Sequence, residues 1–172
     1  LVGSEMCIRD SSNSLILVVD DNPDMRHYIS TIIQPYWNIA VASNGVEALE
    51  FVTKQKPDLI LSDVMMPQMN GFEMVKHLRN NESTKLIPII LLSARSGEEA
   101  KVEGLEKGVD DYMVKPFSSK ELKARISTHL ELGHLRMNLE KQVKERTTEL
   151  RNKMKELEIS ETKYRQLTNL LP

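Results

Sequence analysis

Four apolar runs in this 172-residue chain end on residues that can do chemistry. Leu15–Val19 runs into the pair Asp20-Asp21, Asp58–Ser62 into Asp63, Ile87–Leu92 into Ser93, and Val109–Val114 into Lys115. If these runs are strands of one parallel sheet, their ends share an edge, and ligands of open α/β sheets bind beyond that edge. Three carboxylates, a hydroxyl and an ammonium then meet there. Each residue alone has an ordinary structural explanation: Asp20-Asp21 as a helix cap, Asp63 as a turn residue, Ser93 bonded to nearby backbone, Lys115 in solvent. The joint occurrence is harder to explain that way. Carboxylates within about 4–6 Å raise one another's pKa, so clustering them calls for a cation. Oxygen-only donors without a thiolate point to Mg²⁺, a hard ion that keeps several waters and favours phosphate-bearing partners. One Cys and four His leave little for zinc.

The elements that must position these residues alternate regularly. The runs at Leu15, Asp58, Ile87 and Val109 read as buried strands, and Trp37–Val41 as a weaker one. Asn22-Pro23 opens the first helix, with Pro at its first position, and Met25, Ile29, Ile32 and Ile33 follow at helical spacing. The other helix starts are Asn44, Asn70, Ser96 and Ser118, each three residues before a Glu (Glu47, Glu73, Glu99, Glu121). That is the capping-box spacing, in which cap and Glu each satisfy an orphan backbone donor. The apolar faces are Val46, Leu49 and Val52; Phe72, Val75 and Leu78; Ala100 and Leu105; and Leu122, Ile126 and Leu130. Strand and helix alternate five times in about 118 residues, which calls for a doubly wound parallel sheet with right-handed crossovers.

From Leu15 to about Leu132 the chain resembles the receiver domain of two-component response regulators. The strings that carry the resemblance are Leu15-Ile-Leu-Val-Val-Asp-Asp-Asn22, Leu59-Ile-Leu-Ser-Asp-Val-Met-Met-Pro67 with Asn70-Gly71, Ile89-Ile-Leu-Leu-Ser-Ala94, and Asp110-Asp-Tyr-Met-Val-Lys-Pro-Phe117. The resemblance implies a flavodoxin-like five-stranded sheet of order 2-1-3-4-5 with five helices, the last extending into a long helical or coiled-coil tail. It implies that Asp63 is the phosphoacceptor, attacking a phosphoryl group carried by a phosphohistidine of a histidine kinase or phosphotransfer domain. Asp21 and Asp63 would ligate Mg²⁺, with Asp20 acting through a water and Met65 offering its backbone carbonyl. Lys115 would pair with a phosphoryl oxygen, and Ser93 would donate a hydrogen bond to the phosphoryl group. Small Ala94 would keep access open, and Met65 and Arg95 stand where phosphoryl lifetime is tuned. A cis peptide is expected before Pro116. Ser93, drawn inward on phosphorylation, would vacate space for Tyr112; Tyr112 also reads simply as a half-buried strand aromatic.

Composition bounds the rest. Lys plus Arg is 23 and Asp plus Glu is 25, for a net charge of −2, which argues against a polyanion-coating role. That near-zero value hides a division: residues 11–132 carry a net −4 and residues 133–172 a net +3. The single Cys7 excludes an internal disulfide. No apolar run approaches the roughly 18 residues needed to span a bilayer, so a membrane role for this segment is not expected, and a cytoplasmic location is. Residues 1–10 resemble a translated adapter and read as a non-native leader.

Residues 11–132 read as the receiver domain, 133–159 as a helical coiled-coil linker, and 160–172 as the start of a truncated domain resembling PAS sensory domains. Val143, Leu150, Leu157, Tyr164 and Leu171 recur every seven residues, beside Thr147, Met154, Glu161 and Thr168. Leu132 and Leu139 belong to a seam shifted by four, a stutter near residue 139. The expectation is a linker of about 55–60 Å forming a marginal two-stranded coiled coil between two copies, the alternative being a solvated single helix packing on its own domain. Gly133 is the one interruption, at a cost of about 1 kcal/mol. Mixed charge and the lack of a helix-turn-helix unit argue against nucleic-acid binding.

The arrangement resembles multidomain hybrid sensor histidine kinases, although the chain has no ATP-binding glycine string and no donor-histidine box. His129 and His134 read as surface residues. A downstream cyclase or other effector is the alternative output. An aspartyl-phosphate hydrolase is disfavoured because Met65 stands where its general-acid Asp would be. A flavin-binding flavodoxin is disfavoured because the first strand ends on carboxylates rather than on a phosphate-binding loop.

Overall fold

The computed structural model describes residues 13–94 and 108–168. Five parallel strands, β1 (Leu15–Val19), β2 (Asn38–Ala42), β3 (Leu59–Asp63), β4 (Ile89–Ser93) and β5 (Asp111–Val114), form one sheet in the order β2-β1-β3-β4-β5. The helices among the described residues are α1 (Pro23–Ile33), α2 (Gly45–Lys54), α3 (Gly71–Arg79) and α4 (Ser119–Thr168). The expected helix opening at Ser96 lies outside the described residues. Two apolar clusters cover the two faces of the sheet. One joins Leu17, Val19, Ile60 and Leu91 to Ala48, Val52, Met74 and Leu78. The other joins Ile16, Val18, Leu61 and Leu92 to Ile29, Ile33, Leu122 and Ile126. Odd and even strand positions thus face opposite layers, which is why the runs are apolar throughout.

The described helix starts obey the cap chemistry, with two exchanges of partner. Asn70 and Glu73 form the full reciprocal box. At α2 the Asn44 side chain accepts from Glu47 N–H at 3.0 Å, but Glu47 reaches back one residue further, to Ser43 N–H at 2.8 Å. At α4 Ser118 accepts from Glu121 N–H at 3.1 Å, while the Glu121 carboxylate turns to Arg125. The buried side of α2 carries Gly45, Ala48 and Val52, and Val46 is exposed rather than buried with them.

The chain divides into two compact units, at His134 and Leu135. In the first unit Leu122, Ile126 and Leu130 of α4 are fully buried, each stabilising by about 1.5–3 kcal/mol. Gly133 does not interrupt the helix. It is a buried close approach, where a Cβ would stand 2.9 Å from Pro88 Cγ. His129 and His134 are half-buried, correcting the expectation of surface residues. His129 Nε2 lies 3.2 Å from Asp111 Oδ2, and His134 Nε2 lies 3.6 Å from Asp58 Oδ1. In the second unit, residues 135–168 are helical, and the side chains of 135–166 are exposed, Val143, Leu150, Met154, Leu157 and Tyr164 among them. Pairs such as Lys153–Glu149 and Arg165–Glu161 add a few tenths of a kcal/mol each to such a helix.

Candidate functional site

Register brings the strand ends level. Val19 pairs with Ser62, Asp63 with Leu92, and Ser93 with Val114, so the residues after each strand meet at the carboxyl edge. Lys115 Nζ lies between two carboxylates there, 2.9 Å from Asp20 Oδ2 and 2.6 Å from Asp63 Oδ1. Asp20 is 1% exposed and Asp63 8%. Burial pushes the Asp63 carboxyl up; the Lys115 ammonium and the Met65 N–H pull it down, and burial wins. Burial pushes the Lys115 ammonium down, but its bonds to Asp20 and Asp63 outweigh that and hold it above the ordinary lysine value. The lysine therefore stays charged at neutral pH.

Local structure fixes each group. The other Asp20 oxygen accepts the Asn22 N–H at 2.9 Å, and the Asn22 side chain caps α1 through the N–H groups of Asp24 and Met25. The second Asp63 oxygen accepts the Met65 N–H at 2.8 Å. The chain after Asp63 is held by tight turns. Met69 N–H donates to Pro67 O at 2.8 Å across Gln68, whose φ of 66° is a left-handed value that costs a non-glycine residue about 1–3 kcal/mol. Gly71 N–H donates to Val64 O at 2.9 Å, and a Cβ on Gly71 would stand 2.5 Å from Asp63 O. Only glycine permits that approach. Nothing but the Asn-Gly spelling at a helix start signalled it in the sequence.

The remaining expected residues are placed as follows. Asp21 is exposed beside the buried pair. Met65 is 69% exposed. Ser93 is buried at the end of β4, its carbonyl accepting the Lys115 N–H at 2.7 Å, and Ala94 after it is exposed. Tyr112 is buried at 3% within the apolar cluster, so it already occupies interior space rather than standing half-buried. The Lys115–Pro116 peptide is cis. Arg95 lies outside the described residues. Sequence reasoning passed over Arg26, whose Nη1 donates to the Asp20 carbonyl at 2.6 Å; a basic residue six positions after an acidic strand end was the available signal.

The donor set at this edge is made of oxygens, which suits a hard divalent cation. Among the described residues no group of three or more Asp, Glu, His or Cys stands ready to hold a metal. Asp20 and Asp63 converge on Lys115 while Asp21 is exposed, so the residues fit Mg²⁺ in chemistry, and a third carboxylate is adjacent rather than assembled.

The comparisons agree with the geometry. The receiver-domain description "Response regulator receiver domain" matches residues 16–127. The chain is 38% identical over 143 residues to "Hybrid signal transduction histidine kinase D" of Dictyostelium discoideum, covering 83% of this chain and 9% of that protein. It is 39% identical over 126 residues to a "Probable cyclic di-GMP phosphodiesterase" of Vibrio cholerae, covering 73% of this chain and 29% of that protein. It thus spans a small part of these relatives. Among solved structures, the receiver domain of the Francisella response regulator 1452 superposes with a TM-score of 0.65 at 37% identity, covering 69% of this chain and 98% of that one. Among the described residues, no helix is long and apolar enough to cross a membrane.

Proposed function

The chain belongs to the response regulator receiver domain family, and from that premise we propose that Asp63 is its phosphoacceptor. One observation carries the reading: a single ammonium held between two buried carboxylates at the carboxyl edge of the sheet. An Asp63 oxygen attacks the phosphorus of a phosphohistidine. The P–N bond breaks, the imidazole leaves with its electron pair, and an acyl phosphate remains. Lys115, already 2.6 Å from Asp63, balances charge on a phosphoryl oxygen as a compact cation. Ser93 at the neighbouring strand end donates a hydrogen bond to the phosphoryl group, and Ala94 leaves its approach open. Asp63, Asp21 and the Met65 carbonyl would hold Mg²⁺, with Asp20 acting through water. The ion would offset charge on the phosphoryl oxygens.

Phosphorylation adds close to two negative charges at a site that has one lysine. Ser93 moves toward the phosphoryl group, and Tyr112, buried on the adjacent strand, follows the space that Ser93 leaves. The change passes to a downstream domain through residues 133–159, which we propose pair with a second copy as a coiled coil. The next domain begins as a PAS-like helix at residue 160. A hybrid histidine kinase is the parent this reading favours, because such a protein is among the relatives covering most of this chain. An effector of another kind is the second reading, carried by the likeness to a phosphodiesterase. The location is cytoplasmic.

The test is labelling with acetyl phosphate and MgCl₂. Wild-type chain is expected to take up a base-labile phosphoryl group and Asp63→Asn none. Undiminished, acid-stable label on Asp63→Asn would overturn the assignment.

A further inference from the structure

Arg26 lies six residues beyond Asp20, on α1. Its Nη1 donates to the Asp20 carbonyl oxygen at 2.6 Å. With that bond every polar group of Asp20 is engaged. Its N–H donates to Ala42 O at 3.2 Å, Oδ1 accepts the Asn22 N–H at 2.9 Å, and Oδ2 accepts Lys115 Nζ at 2.9 Å. The carbonyl held by Arg26 belongs to the peptide plane joining Asp20 to Asp21. Rotation of that plane would carry Asp21 away from its place beside the buried pair. It would also strain the Asn22 N–H bond that fixes the Asp20 carboxylate. A guanidinium-to-carbonyl bond is charge-assisted and stronger than a neutral one, so it suits this restraint.

We propose that Arg26 is a positioning residue for the divalent-cation site: it fixes the Asp20–Asp21 peptide so that the carboxylates at this edge can share one cation. This rests on the reading of Asp20, Asp21 and Asp63 as the metal's residues. Two effects of Arg26 oppose each other. Its charge repels an incoming cation, and its hydrogen bond preorganises the residues that receive it. The bond outweighs the charge, because Asp20 is 1% exposed and cannot recover its geometry by rearranging in water.

The two effects predict opposite signs, which makes the test decisive. Mg²⁺ and Mn²⁺ binding to the full chain is measured by titration calorimetry for wild type, Arg26→Gln and Arg26→Lys. Lysine keeps the charge but loses the planar, multiply donating head. Both variants are expected to bind about tenfold more weakly, the usual scale for losing a residue that orients metal ligands. Tighter binding by Arg26→Gln with unchanged binding by Arg26→Lys would show a purely electrostatic role and overturn the proposal. Unchanged binding by both variants would overturn it too, while leaving the metal reading intact. Absence of divalent binding by wild type would overturn the metal reading and the proposal together. A metal-free readout is amide exchange at Asn22, expected to quicken in both variants; unaltered exchange would count against a positioning role. Should Arg26→Gln fail to fold, Arg26→Lys carries the test alone, and its weaker binding or its equality with wild type decides.

Discussion

Gly71→Ala probes whether the site depends on the close approach of α3 to the phosphoacceptor strand. A methyl group at residue 71 would stand 2.5 Å from the Asp63 carbonyl oxygen, 3.1 Å from Val64 Cα and 3.2 Å from Leu91 Cδ2. Carbon–oxygen contacts in proteins settle at about 3.3–3.6 Å, so strand and helix must part by about 0.8–1.1 Å. The Gly71 N–H bond to Val64 O, 2.9 Å long, spans the same interval and stretches with it. Overpacking of this size costs about 1–3 kcal/mol, offset by less than about 1 kcal/mol from the better helix propensity of alanine. For a chain of this length, that net loss lowers Tm by about 2–8 °C. The displaced backbone is that of Asp63 itself. A misplacement near 1 Å costs up to about 100-fold in rate, so labelling by acetyl phosphate with MgCl₂ should slow by about 10- to 100-fold. Gly133→Ala is the control. Its methyl would meet Pro88 Cγ at 2.9 Å, far from the site, and should leave labelling unchanged. If Gly71→Ala labels within twofold of wild type and melts within 1 °C of it, the packing argument is wrong.

Two further outcomes follow from the network on β5 and from the exposed helix. Burial pushes Asp111 up, but bonds from His129, Arg125 and the Tyr112 N–H overcome it and hold the carboxyl at about 2. A carboxyl depressed below its unfolded value of about 3.9 contributes stability that is present above that value and lost as pH falls from about 4 towards 2. Arg125→Met should therefore destabilise by about 1 kcal/mol at pH 7, after allowing for solvent screening, and by about half as much at pH 2.5, where the loss is under way but incomplete. Urea unfolding at both pH values measures this, and an equal loss at the two would contradict it. Dimerisation through residues 135–171 is expected, read as a concentration-dependent mass in sedimentation equilibrium; a monomer at every concentration, with and without phosphodonor, would refute the coiled coil.

Much of the site was readable because chemistry and topology coincide in this fold. A parallel sheet places every strand end on one edge, so Asp20, Asp63, Ser93 and Lys115 could be grouped from the residues that follow apolar runs. The box at Asn70–Glu73 also followed from a short string, and the cis peptide at Pro116 from the family resemblance. Other features depended on partners distant in the chain. Glu47 bonds Ser43 rather than Asn44, because the competing donors lie one residue apart and only the loop's path decides between them. Val46 is exposed where helical spacing alone put it on the buried face. His129 and His134 are drawn out of solvent by Asp111 and Asp58, which no local pattern links to them.

The sequence by itself determined the alternation of strands and helices, and with it which residues end at the edge. Those properties follow from side-chain periodicity and cap chemistry, which act over a few residues. Tertiary structure alone decided that Lys115 bridges Asp20 and Asp63 while Asp21 is left exposed, that Gly71 and Gly133 are contact points rather than flexible links, and that Arg26 grips the Asp20 carbonyl. Each of these depends on distances of 2.5–2.9 Å between atoms brought together by packing, and one-dimensional spacing does not encode them.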